Sequence, residues 1–157
     1  MNPIQYIPRT RELYSDYPPY RWVVNEDAPW TAITTPVSKS RVALVSSSGV
    51  HLDDQEPFHI NDDTSVREIP RNAQVEKLRV THFGYRTDDA KKDPNCVFPI
   101  ERLRELEDEG FLGALKDPCF TFMGGIYSAR RVRRDLATYF QQQFVRQQVD
   151  LVFLVPV

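Results

Sequence analysis

RVALVS at residues 41–46 and LVFLVPV at residues 151–157 decide the fold. Each is a short run of β-branched and aliphatic residues. The first has a Ser-Ser-Gly turn cluster behind it, the pattern of a strand buried in a sheet. The second is the most apolar run in the chain, as a strand covered on both faces requires. Between them lie two further strand-like runs, Leu78–Phe83 (LRVTHF) closed by Gly84, and Phe120–Met123 (FTFM) ended by Gly124-Gly125. Two amphipathic helices separate the later strands. Pro99–Glu109 carries Ile100, Leu103 and Leu106 on one face, with Gly110 placed for the C-terminal cap. Ala129–Gln148 carries Val132, Leu136, Phe140 and Phe144 at helical spacing, with Ser128 as N-cap. Strands alternating with helices predict an α/β domain, a three-layer parallel sheet of Rossmann-like type, over residues 39–157.

Two regions depart from that pattern. Residues 1–38 hold Tyr14, Tyr17, Pro18, Pro19, Tyr20, Trp22, Pro29, Trp30 and Pro36. Prolines at that density break helices and central strands, while the rings favour burial. The segment reads as an extended aromatic and proline-rich arm that packs onto the domain or a partner, with at most one helical turn around Thr10–Ser15. Residues 50–77 should hold the first crossover helix but show no sustained period and carry Pro57 and Pro70. A loop of that length is usually functional or mobile.

Composition narrows the function. The chain has 157 residues, enough for one domain. Twenty basic against 22 acidic residues give a net charge of −2, which argues against an electrostatic nucleic-acid binder. No apolar run approaches the roughly 20 residues of a spanning helix, and the N-terminus lacks the features of a secretory signal. Two cysteines make no disulfide framework, which fits a reducing cytoplasm.

In open α/β sheets, ligands bind beyond the carboxyl ends of the strands, and the unusual residues collect there. Ser46, Ser47, Ser48, Gly49 and His51 follow the first strand, and His82 ends the second. Gly124 and Gly125 lead from the third into a helix start. Ser47, Ser48, Gly49, His51, His82, Gly124 and Gly125 are the candidate substrate contacts, with His82 also a candidate acid/base. Bland readings stand beside these. The serine turn is an anion loop or a plain polar turn, and it lacks the nucleotide-loop spacings. The glycine pair admits a substrate carboxylate to the helix start or is simple punctuation. His51 and His82 with Cys96 or Cys119 lack any short metal-ligand spacing, so no metal site is assigned. Cys96 precedes a helix start, where the dipole would lower a thiol pKa and make it a candidate redox thiol. Cys119 begins a strand at the far end of the sheet.

The stretch RVALVSSSGVHLDDQEPF, then REIP, THFGY, DPNCVFPIERLRELEDEGFLG and FTFMGGIYSARR, in this order, resembles the selenoprotein B family of glycine, sarcosine, betaine and D-proline reductases. YIPRTRELYSDYPPYRWVVNEDAPW looks like the N-terminal arm of its short members. The resemblance implies thiol- or selenol-dependent reductive cleavage of a C–N bond in a small amino acid or N-methylated amine. It implies a selenocysteine or cysteine nucleophile, a pyruvoyl-bearing partner subunit and a thioredoxin-type reductant, with homo-oligomers also expected. The family pattern runs from DLVFLVPV into C-x-x-C or U-x-x-C (U, selenocysteine). The nucleophile is therefore expected just after Val157, and the α/β domain is expected to be incomplete at its C-terminus, through an in-frame UGA codon or fragmentation. On that expectation the chain as it stands is inactive, and no catalytic residue within it is assigned beyond His82. An accessory subunit that binds a small anion and docks a partner through Tyr17-Pro18-Pro19-Tyr20 is the alternative.

Overall fold

The computed structural model describes residues 5–16, 26–27 and 29–157. Its contacts divide the chain into two units, Met1–Ala32 and Ile33–Val157. In the first, Tyr6–Leu13 forms helix α1, longer than the single turn expected. Pro8 falls in its first turn, where a missing backbone N–H breaks no bond. The Tyr17, Pro18, Pro19, Tyr20 and Trp22 on which the docking-arm reading rests lie outside the described residues.

In the second unit the order is β1 (Arg41–Ser46), β2 (Val50–Leu52), β3 (Val66–Ile69), β4 (Leu78–Val80), α2 (Asp88–Lys92), α3 (Ile100–Asp108), β5 (Ala114–Leu115) and β6 (Cys119–Phe122). Then follow α4 (Ala129–Arg131), α5 (Thr138–Arg146) and β7 (Leu151–Val155). A π-helical turn, Val132–Ala137, joins α4 to α5.

Strand β1 is the centre. Val42, Ala43, Leu44 and Val45 are each at most 6% exposed, so both of its hydrogen-bonding edges must be paired. On one edge the Ser40 and Val42 carbonyls accept from Ala114 and Lys116 N–H, at 3.0 and 2.8 Å. Strands β5 and β6 share that edge, β5 opposite Arg41–Val42 and β6 opposite Val45–Ser46, with a two-residue slip between them. On the other edge β7 runs parallel, Val42 opposite Leu151 through to Ser46 opposite Val155. The start of β7 is fixed by a fork, Arg41 Nε and Nη2 donating to the two Asp150 oxygens at 2.9 and 2.8 Å. The Arg41 amide adds a third bond to Asp150 Oδ2, at 2.8 Å. Strand β3 lies beyond β6 and antiparallel to it. The sheet is therefore mixed, and every neighbour of β1 is parallel.

Helices cover both faces of the sheet. Ile100 and Leu103 of α3 pack with Phe98, Val42, Leu44, Leu115 and Cys119. On the other face Phe120 meets Tyr139, Phe140 and Phe144, ring centroids 5.8–6.4 Å apart. The ends of the helices follow the sequence. Gly110 at φ +74° closes α3, with its N–H on Glu107 O and that of Phe111 on Leu106 O, the paired bonds of a Schellman cap. Ser128 Oγ accepts from Arg131 N–H at the start of α4. No helix among the described residues is long and apolar enough to cross a membrane.

Three expectations are corrected. Leu78–Phe83 is not a strand of the main sheet. Only Leu78–Val80 is extended, and it pairs antiparallel with β2, His51 opposite Arg79. Residues 50–77 are not a bare loop, because they hold β2, β3 and a 3-10 turn at Val75–Lys77. Strand β7 is not covered on both faces. It lies at the sheet edge, with Val152 38%, Phe153 46% and Leu154 65% exposed.

Leu44 has no exposed surface in the central strand. L44A is expected to lower the unfolding free energy by about 2–5 kcal/mol in urea titration. V145A, at a residue 73% exposed on α5, is expected to change it by no more than about 0.5 kcal/mol.

Candidate functional site

Strand β1 ends in the turn Ser46–Gly49, and the turn is held by the strands on either side. Ser47 N–H donates to Val155 O at 3.1 Å, and Gly49 N–H to Phe122 O at 3.0 Å. Ser46 Oγ donates to Val97 O at 2.7 Å. These amides are taken by β6 and β7, so they are not open donors for an anion. Gly49 sits at φ +67°, and a Cβ there would lie 2.1 Å from Thr81 O. Only glycine allows this approach, through which Thr81 N–H bonds Gly49 O at 3.0 Å. The β2–β4 ribbon is thereby fastened to the end of β1, and the residues after β4 are delivered to the carboxyl ends of the parallel strands.

His82 arrives by that route. Its ring lies between Phe83, stacked at 5.6 Å, and Tyr85, tilted at 4.6 Å. Gly84 N–H donates to Nδ1 at 2.9 Å, so in the neutral ring the proton resides on Nε2. Nε2 is buried without a well-aligned hydrogen bond. It lies 3.0 Å from where a Gly124 side chain would begin, a point that Ser47 O and Val157 O approach to 3.1 and 3.4 Å. Burial lowers the His82 pKa, and the nearby Ser47 carbonyl opposes this in part. Val157 N–H donates to Ser47 Oγ at 3.0 Å, and Gly124 N–H to Ser47 O at 3.0 Å. Ser47, His82, Gly124 and the end of β7 thus converge on one spot. Ser48 joins through its carbonyl, which accepts from the Tyr85 hydroxyl at 2.9 Å. Its own Oγ is buried and unpartnered. His51 faces elsewhere, its nitrogens engaged by Leu52 O at 2.8 Å and Thr81 Oγ1 at 3.0 Å.

The helix start beyond Gly124-Gly125 is occupied by the protein itself. Asp62 Oδ1 accepts from Tyr127 N–H at 2.6 Å and Ser128 N–H at 3.4 Å. An internal carboxylate thus holds the two backbone donors that lead into the helix, at the place where the sequence offers either a substrate carboxylate or simple punctuation. Beside it is an open cavity of about 300 Å³ lined by Ile60, Asn61, Asp62, Phe83 and Tyr127. Gly125, at φ +58°, lies under the Phe83 ring, which a Cβ would meet at 2.5 Å. Asp62 and Tyr127 carry no sequence signal of this role beyond the turn-forming run Asn61-Asp62-Asp63.

Neither thiol is activated. Cys96 is exposed at the end of the 3-10 turn Pro94–Cys96. Desolvation, then the Asp93 and Asp89 carboxylates, push its pKa up. This shift is opposite to the lowering expected at a helix start, and it is Asn95 that engages α3, its Oδ1 accepting from Glu101 N–H at 3.1 Å. Cys119 is buried, and burial with Asp117 pushes its thiol up to about 12. Tyr85 is likewise pushed up to about 12, chiefly by burial. Among the described residues no group of three His, Cys, Asp or Glu side chains is placed to hold a metal. The site offers a ring nitrogen donor, a carboxylate and two aromatic rings.

The lowered His82 pKa sets a pH dependence. The unfolded chain binds this proton more readily than the folded one below about 6.5, the ordinary value. Stability from the neutral ring is complete above that pH and is lost as pH falls through the folded pKa. NMR titration is expected to place His82 below the ordinary histidine value. H82Q is expected to flatten the acid side of the stability profile.

Comparison with known proteins finds relatives along most of the chain. The family model for glycine/sarcosine/betaine reductase selenoprotein B matches residues 20–156. D-proline reductase subunit gamma of Acetoanaerobium sticklandii is 37% identical over 125 residues, 80% of this chain and 52% of that protein. Glycine reductase complex component B subunit gamma of Symbiobacterium thermophilum is 28% identical over 127 residues, covering 75% and 28%. Sarcosine reductase complex component B subunit beta of Peptoclostridium acidaminophilum is 30% identical over 102 residues, covering 61% and 23%. The chain spans about half, or less, of the length of these relatives. No solved structure matches it. With nearly all of residues 33–157 inside the matched stretch, the chain belongs to the glycine/sarcosine/betaine reductase selenoprotein B family.

Proposed function

We propose that this chain forms the substrate-side part of a reductase subunit that cleaves a C–N bond in a small amino acid or N-methylated amine, with the redox group supplied by polypeptide outside residues 1–157. One observation carries the reading. The end of β7 is seated on Ser47 by the Val157 amide, beside Gly124 and the Nε2 edge of His82. A C-x-x-C or U-x-x-C segment leaving Val157, as the family resemblance implies, would begin within a few ångströms of these residues. The two cysteines present support an outside nucleophile, since burial and neighbouring carboxylates hold both as thiols.

The roles of the chain's own residues follow from their chemistry. The Asp62 carboxylate with the Phe83 and Tyr127 rings suits the ammonium end of a substrate. His82, with its proton on Nε2, donates a hydrogen bond at the reacting end. In the overall reaction the C–N bond takes up two electrons and two protons, giving an amine and a new C–H bond. A selenol–thiol or dithiol pair is oxidised to the selenenylsulfide or disulfide. A thioredoxin-type reductant would restore it, and a pyruvoyl-bearing subunit would be a further partner. The unpaired cysteines support a reducing, cytoplasmic setting.

The test is thiol-dependent consumption of glycine, sarcosine, betaine and D-proline by the protein extended through the sequence after residue 157. Turnover is expected there, with none from residues 1–157 alone. Binding without thiol consumption by an extended protein that carries an intact redox motif would overturn the reductase reading. It would favour the accessory, ligand-binding subunit.

A further inference from the structure

The two edges of the sheet are built on different rules. Strand β3, at one edge, reads Val66-Arg67-Glu68-Ile69 and is antiparallel to its neighbour. Its charges are the usual protection of an edge strand against pairing with another chain. Strand β7, at the other edge, reads Leu151-Val-Phe-Leu-Val155 and holds no charge, proline or glycine. Its side chains are apolar on both faces. Leu151 and Val155 pack against the core, while Val152, Phe153 and Leu154 are 38%, 46% and 65% exposed. This is the pattern of β1, the strand with partners on both edges. Parallel strands of this composition are interior strands.

The backbone says the same. Val155 O accepts from Ser47 N–H, facing β1. Alternation along a parallel strand then turns the N–H and C=O groups of Val152 and Leu154 to the outer edge, where no strand of the described residues lies.

We propose that β7 is an interior strand of the complete sheet, and that its outer edge takes up a parallel, apolar β-segment from polypeptide outside residues 1–157. The segment is parallel because all three partners of β1 are. A parallel addition needs a crossover connection of about a dozen residues or more. The relatives have that length to give, since this chain covers 52% of D-proline reductase subunit gamma and 28% of the Symbiobacterium subunit. A second copy of the chain would pair differently, β7 against β7 and antiparallel across a two-fold axis. The proposal shares with the functional reading the premise of further polypeptide, and none of its chemistry.

Amide hydrogen exchange tests it on two proteins, residues 1–157 alone and the product of the full reading frame. In the shorter one, Val152 and Leu154 amides are expected to exchange about 100-fold faster than those of Phe153 and Val155, which face β1. In the longer one all four are expected to be protected. L154K is expected to leave the mass and secondary structure of the shorter protein unchanged and to restore fast exchange at Val152 in the longer one. Fast exchange at Val152 and Leu154 in the longer protein overturns the proposal, as does a frame encoding nothing after residue 157. So does protection in the shorter protein together with a dimeric mass in sedimentation, which assigns the edge to a second copy. A longer protein that protects the edge but consumes no thiol sinks the reductase reading and leaves this one standing.

Discussion

A strand buried as deeply as β1 cannot leave backbone groups unpaired on either edge, and that constraint organises the rest of the molecule. Segments more than 70 residues away along the chain supply the partners, β5 and β6 on one side and β7 on the other. All three run parallel to β1, so the ends of β6 and β7 fall where β1 ends. The meeting of Ser47, Gly124 and Val157 is therefore a consequence of strand direction. It is sealed by two hydrogen bonds to the same serine, one at its carbonyl and one at its hydroxyl. At the opposite end the Arg41–Asp150 fork fixes where β7 begins. Beside the guanidinium the Asp150 carboxyl is held well below the usual carboxylate range.

The histidine of the site belongs to a second structure laid over the first. The β2–β4 ribbon is antiparallel, and its pairing sends the chain back toward the end of β1. Two contacts hold it there. Gly49 allows the close approach of Thr81, and the Thr121 hydroxyl donates to Val50 O. Both attach to strand ends of the main sheet, so His82 is positioned by the sheet without belonging to it. Its neutrality has a local cause. A ring between two aromatic side chains, with Nδ1 already accepting from Gly84, has little solvent or counter-charge to support a second proton.

The parts of this arrangement that the sequence discloses are those governed by short-range pattern. RVALVS and LVFLV announce buried strands by composition, and Gly110 and Ser128 announce helix ends by conformational preference. Membership of a sheet is a different matter. Leu78–Phe83 has the look of a parallel strand, yet its partner is β2, 26 or more residues earlier, and no local feature of LRVTHF states this. Strands β2 and β3 are too short, at three and four residues, to build a visible period. The covering of β7 is not legible for a related reason. An apolar run states that a strand needs two neighbours, and not that both lie within these residues. Asp62 was missed because its partners, Tyr127 and Ser128, are 65 and 66 positions away. The order of motifs carried the family, which composition alone could not.

The occupied helix start bears on how a zwitterion would lie under the proposed reading. Tyr127 and Ser128 N–H are the donors a substrate carboxylate would seek, and Asp62 holds them. Arg131 of that helix is turned to Thr64 Oγ1 at 3.1 Å and Asp135 at 3.9 Å. The cavity wall therefore presents negative charge and aromatic faces, a lining that repels a carboxylate and attracts an alkylated ammonium. The ammonium end would enter first, against Asp62, and the remainder of the molecule would lie under Phe83 toward His82. Phe83 stacks on His82 and roofs Gly125, so one ring forms both the wall of the cavity and the cover of the histidine.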